Sequence, residues 1–235
     1  LLGTTAQRVV AEAAAPCLVV KRPLTLPLSR VLLALSAADM EDGLLAAGSA
    51  WLADLQAPTE SRLAARRPVD LRAFHVVSSP RTWREVSGAL TAAIRTVNDH
   101  TAIGRQVHVR HAIAWSKAPA KEIVRIARDS DADLIVMGVR AQGPFLRALL
   151  GSVSGEVLRR ADRPVLLLPE RARARLTRRF EEDRHRSPLE PEAGSLLDAL
   201  ATEGPESEWD RIHEHGTPWD EDDIVLSRYD ECACH

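Results

Sequence analysis

Two glycines and a hydroxyl side chain give this sequence its most specific chemical feature. Gly138-Val139-Arg140-Ala141-Gln142-Gly143 follows an aliphatic run, and Gly151-Ser152-Val153 opens a helical stretch further on. Glycine at 138 lets the backbone turn sharply, and glycine at 151 lets an anion approach the main chain. Ser152 and the free N–H groups of the following helix can donate to phosphate oxygens, where the helix dipole also favours negative charge. Arg140 or Arg147 can add charge. The same residues also suit a structural role, a turn followed by a helix cap. The loop is neither a Walker loop, since the lysine is missing, nor the dinucleotide Gly-x-Gly-x-x-Gly.

Catalytic groups are scarce elsewhere. Ser152 has no Gly-x-Ser-x-Gly elbow. His75 falls inside a strand and reads as a satisfied polar residue near a cleft. His108 and His111 fall on opposite faces of one strand, which disfavours a shared metal. Asp39, Glu41 and Asp42 read as cap and first-turn acids. Cys232-Ala233-Cys234-His235, with His213 and His215 upstream, has no second paired motif and reads as solvated. The basic run Arg171, Arg173, Arg175, Arg178 and Arg179 lacks stacking aromatics apart from Phe180, so no nucleic-acid partner is expected. No strong catalytic machinery is expected either.

The elements that must position the Gly138 and Gly151 groups follow from periodicity. Arg30 to Leu35 is an uninterrupted aliphatic run after its arginine, as in a central parallel strand. Residues 42–55 have helical spacing through Leu44, Leu45, Trp51, Leu52 and Leu55. Val69 to Val77 is a second strand, and Trp83 to Asn98 is a helix with Val86, Leu90, Ala93, Ile94 and Val97 on one face. Residues 106–114 alternate as a third strand. Pro119 sits where a first-turn proline belongs, and 133–137 forms a fourth strand ending at Gly138. A helix from Gly151 and a strand of Val165, Leu166, Leu167 and Leu168 complete the pattern. The alternation predicts an α/β domain with an open, doubly wound, five-stranded parallel sheet, whose ligands bind beyond the carboxyl ends of the strands.

Aromatic residues make up only 4% of the 235, so the core is aliphatic. Residues 1–180 carry 27 Lys+Arg against 16 Asp+Glu, and residues 181–235 carry 4 against 17, which marks a boundary near 180. No run of 18 or more apolar residues exists and nothing resembles a signal peptide, so no membrane association is expected. Cys17, Cys232 and Cys234 are too few and too badly placed for a disulfide scaffold, and a cytoplasmic location is expected. The chain opens Leu1-Leu2-Gly3 without methionine and reads as a piece of a longer product. Leu1-Leu2-Gly3-Thr4 aligns without a gap on Leu149-Leu150-Gly151-Ser152, and Pro16-Cys17-Leu18-Val19-Val20 on Pro164-Val165-Leu166-Leu167-Leu168, as in a tandem duplication. Four segments follow: 1–23, the remnant of a first domain; 29–169, a complete domain; 170–186, a basic linker or helix; and 187–235, an acidic tail that reads as disordered.

Asp133-Leu134-Ile135-Val136-Met137-Gly138, the Gly151-Ser152-Val153 element and Ala161-Asp162-Arg163-Pro164-Val165-Leu166-Leu167-Leu168-Pro169 together resemble the universal stress protein family. Gly138, Gly151 and Ser152 match its glycine motif in spacing, and Ala141 replaces the second glycine. The resemblance implies a cleft for ATP, with Mg²⁺, at the ends of the first, second and fourth parallel strands. By position, Ala34, Ser36 and Val76 would line the base and ribose end, and Met137 and Gly138 would face the nucleoside. Ala141, Gly151, Ser152 and Val153 would surround the phosphates. ATP-binding members usually carry an aspartate where Ser36 stands, and Ala141 prefers φ < 0, so both positions depart from the pattern. The resemblance also implies self-association, or pairing with a tandem domain, through the strand of Val165 to Leu168, with residues 17–20 as its neighbour. The functional expectation is a nucleotide-binding stress-response module acting on an unknown protein partner; the alternative is an interaction module that binds no nucleotide and forms half of a pseudo-dimer.

Overall fold

A computed structural model describes residues 9–10, 13–24, 26–56, 67–79, 82–139, 151–186 and 225–226. Ala141, Arg140 and Arg147 lie outside the described residues, as do Leu1, His213, His215 and the Cys232 to His235 motif.

The aliphatic runs become strands: β2 (Arg30–Leu35), β3 (Val69–Val77), β4 (Val107–Trp115), β5 (Leu134–Val139) and β6 (Val165–Pro169). These five are parallel, as the sequence pattern predicts. Two short strands extend the sheet at its edges. β1 (Cys17–Val19) runs antiparallel to β6, with Leu18 opposite Leu166, and β7 (Val225–Leu226) runs parallel to β4. The order is β1-β6-β5-β2-β3-β4-β7. From β2 the chain winds to β3 and β4 on one side and then to β5 and β6 on the other. The order therefore reverses at β2, and a crevice opens there beyond the strand ends.

Alternation along each strand builds two cores. Val31, Leu33 and Leu35 join Leu71, Val136 and Leu166 beneath helices α2 (Leu44–Gln56) and α3 (Trp83–Asn98). Leu32 and Ala34 join Phe74, Ile135, Met137 and Leu167 beneath α5 (Pro119–Asp129) and α6 (Ser152–Arg160). Because both faces are covered, β2 reads as unbroken apolar sequence; each such side chain contributes roughly 1.5–3 kcal/mol of burial.

The sequence predicts a single helix over 42–55. The structure places α2 there, starting two residues later, and adds a separate short helix ahead of it, α1 (Ala37–Glu41); Gly43 stands between the two at φ +70°, which no continuing helix adopts. Gly138 lies inside β5 rather than after it. A short α4 (Thr101–Gly104) precedes β4.

The segment read as a basic linker or helix is α7 (Glu170–Arg186). It packs along α2 through the buried Phe180, whose ring lies 4.7 Å from that of His100. Thr177 Oγ1 donates to Gly43 O at 3.2 Å, and Arg179 pairs with Asp54 at 2.7 Å. At the far edge of the sheet, Lys21 Nζ donates to Leu158 O, Arg159 O and Ala161 O, placing a cation on the C-terminus of α6.

Gly43 tests the α2–α7 packing. A Cβ there would meet Thr177 Cγ2 at 2.9 Å while holding a positive φ. Gly43→Ala is expected to cost at least about 1–2 kcal/mol, read as a lower urea midpoint with an unchanged slope.

Candidate functional site

At the carboxyl ends of β2, β3 and β5 lies a cleft of ≈ 590 Å³. Ala34, Phe74, Val76 and Met137 supply apolar wall from the strands, and Pro119 and Ile123 add to it from α5. Thr82, Glu85 and Val86 line it from the start of α3, and Gly151, Ser152, Val153 and Ser154 from the start of α6. Eight of the nine residues anticipated from sequence thus converge on one space: Ala34, Ser36, Val76, Met137, Gly138, Gly151, Ser152 and Val153. Ala141, the ninth, is among residues outside the description.

The α6 entrance differs in one detail from the sequence reading, which gave Ser152 the role of helix cap. The cap residue is Gly151, in an extended conformation and without a side-chain cap bond, and Ser152 is the first helical residue. Ser154 Oγ turns back to Gly151 O at 3.1 Å. A glycine cap offers no side-chain oxygen, so it leaves the first-turn N–H groups to other acceptors.

Ser36 is committed within the fold. Its N–H donates to Asp39 Oδ2 at 2.9 Å and its hydroxyl donates to the same oxygen at 2.6 Å; Asp39 N–H in turn approaches Ser36 Oγ at 3.3 Å. This is a reciprocal cap on α1, and the Ser-x-x-Asp spacing was its signal in the sequence. Asp39 Oδ1 accepts from Arg173 Nη1 at 2.9 Å, and Arg173 Nη2 reaches Asp42 Oδ2 at 3.3 Å. Arg173 is 2% exposed and Asp39 7%. Gly138 makes the space: a Cβ there would stand 2.8 Å from Asp39 Oδ1 and 3.0 Å from Arg173 Nη1. Sequence reasoning passed over Arg173 as one arginine among many, though Ala172, Arg173, Leu176 and Phe180 mark the inward face of α7.

His75 lines the cleft, and its Nδ1 is 2.8 Å from Leu35 O. A carbonyl only accepts, so the neutral ring carries its proton on Nδ1. Burial pushes the His75 pKa below the usual histidine value, with the Leu35 carbonyl and the Asp39 charge pulling the other way. His108 is exposed, and it alternates with His111 across β4, as the sequence reading has it. No group of three or more metal-ligating side chains occurs among the described residues. No helix among them is long and apolar enough to cross a membrane.

The family model for universal stress proteins matches residues 50–169. The chain belongs to the universal stress protein family. A universal stress protein of Mycobacterium bovis is 29% identical over 120 residues, a match taking in 45% of this chain and 40% of that relative. One from Methanocaldococcus jannaschii is 48% identical over 50 residues, covering 21% of this chain and 29% of the relative. The chain thus spans less than half the length of these curated relatives. A solved structure of the universal stress protein from Archaeoglobus fulgidus in complex with dAMP is 20% identical, with a TM-score of 0.40 over 59% of this chain and 96% of that one.

The His75 environment gives a pH dependence with a definite sign. Above the unfolded histidine pKa, near 6.5, both states are neutral and the contribution is intact. As pH falls below it, the unfolded chain takes up a proton that native His75 refuses, so stability declines until the depressed folded pKa is passed. His75→Gln is expected to flatten the fall in urea-unfolding free energy between about pH 7 and pH 5 relative to the parent; an identical slope in the two proteins counts against this assignment.

Proposed function

We propose that the cleft takes an adenine nucleotide, ATP with Mg²⁺ in the first instance, and that this universal stress protein is a regulatory module that senses the nucleotide without strong catalytic machinery. The observation that carries the reading is the convergence of the apolar Ala34, Val76 and Met137 with the open first turn of α6 on one cleft. The wall suits a purine face, and the N–H groups after Gly151 suit phosphate oxygens. The ion would be held through the phosphates and water, because the described residues offer no ligand cluster for it. A cytoplasmic location, an origin in a tandem duplication and an unknown protein partner belong to the same reading.

One observation favours the second reading, an interaction module without nucleotide that forms half of a pseudo-dimer. Ser36, standing where an acid is usual, is engaged by Asp39 through both its amide and its hydroxyl, so the cleft receives no free carboxylate at that position.

Calorimetric titration with ATP and Mg²⁺ separates the two. Saturable heat supports the sensor, and none at about 1 mM nucleotide, the weak limit of specific binding, supports the interaction module. Ala141→Gly, which restores the glycine of the family motif, is expected to tighten ATP binding by about 10-fold, the scale of one backbone hydrogen bond.

A further inference from the structure

We propose that Arg173 is a positioning residue for the cleft, holding α1 and Ser36 at the strand ends from the helix that follows the domain, so that cleft occupancy and docking of α7 are thermodynamically linked. This rests on the reading of the cleft as a ligand site.

The connection is short and continuous. Arg173 Nη1 lies 2.9 Å from Asp39 Oδ1, and Asp39 Oδ2 holds Ser36 through its amide at 2.9 Å and its hydroxyl at 2.6 Å. One interaction therefore separates the guanidinium on α7 from Asp39, which itself lines the cleft, and two separate it from Ser36. The second fork nitrogen reaches Asp42, just after α1, so one side chain holds both the middle of that five-residue helix and the residue that follows it. So short a helix has little stability of its own and takes its position from contacts made elsewhere.

The burial makes the arrangement obligatory. A guanidinium only 2% exposed needs its carboxylates, and the Asp39 carboxylate needs its donors. Gly138, itself a cleft residue, is the point where a side chain would collide with both. A ligand that settles Ser36 and Gly138 favours the position from which Arg173 can reach Asp39. By reciprocity, releasing α7 weakens the ligand by the same factor. Ser36, Asp39 and Arg173 all lie outside the 50–169 segment matched by the family model, so the brace is not part of the matched pattern.

The experiment uses the full chain and Arg173→Met, which keeps bulk and removes the fork, with Arg173→Lys as the conservative comparison. Site-resolved amide exchange is measured without ligand, and then both it and calorimetry with ATP and Mg²⁺. The expected result is faster exchange at Ser36 and Asp39 in Arg173→Met, with β4 amides little changed and partial recovery in Arg173→Lys. ATP should bind the Met variant about 10-fold more weakly and should slow exchange in α7 of the parent. Exchange that rises evenly across the sheet, or unchanged exchange at Ser36 and Asp39, overturns the proposal. So does unchanged ATP affinity of the folded variant when the parent binds. Should the parent give no heat with ATP, the nucleotide reading fails alone, and local exchange at Ser36 and Asp39 still decides the role of Arg173.

Discussion

Arg173 brings a full positive charge to a place that water scarcely reaches, and much of the surrounding geometry follows from matching it. Removing one member of such a pair strands the other at a cost of ~3–5 kcal/mol, so sequence is constrained on both sides. Asp39 must project back from α1, which fixes the turn after β2. Gly138 must lack a side chain, whatever else it does. Gly43 must hold a positive φ between α1 and α2 and leave room for Thr177, so that α7 can lie alongside. Three positions that look like independent local choices are therefore conditions on one electrostatic contact.

The parallel sheet was legible because the physics acting on it is local and periodic. An unbroken run such as Val31 to Leu35 has few other places to go, and Pro119 announces the start of α5 by its missing N–H. Residues lining the cleft could be placed because parallel strands deliver their carboxyl ends to one side. The rest depends on partners distant in sequence. Ala172, Leu176 and Phe180 mark the face on which Arg173 lies, but the carboxylates that let a guanidinium be buried there stand 134 and 131 positions away. The cap at Ser36 was readable in its spacing, but attention to an absent acid obscured the use to which serine had been put. Gly43 was passed over because one glycine within a helical pattern does not disclose the sign of its φ.

Membership of the universal stress protein family accounts for the framework and leaves the individual features to be explained. The matched segment begins within α2 and ends at the last residue of β6. β2, Ser36 after it, α1 and α7 lie outside it, and with them Asp39 and Arg173. The cleft is thus built from two sources: most of its wall and the α6 entrance from the matched portion, and the Ala34 wall with one rim from elements that flank it. A rim set by a buried ion pair is polar but already neutralised, unlike one that presents a bare carboxylate.

The pairing of β1 with β6 limits how many neighbours the sheet can accept. Edge pairing is a matter of valence: each border strand has one free row of donors and acceptors, and a second strand cannot share it. Cys17 to Val19 have taken that row on β6, in register from Leu167 to Val165, and Lys21 holds the chain beyond them to the end of α6. A second copy approaching the same border would find it occupied by the molecule's own chain. It would have to displace three residues and release a lysine, or add itself outside β1, where Leu18 and Val20 are exposed. Association through β6 is therefore an exchange of one strand for another rather than a simple addition.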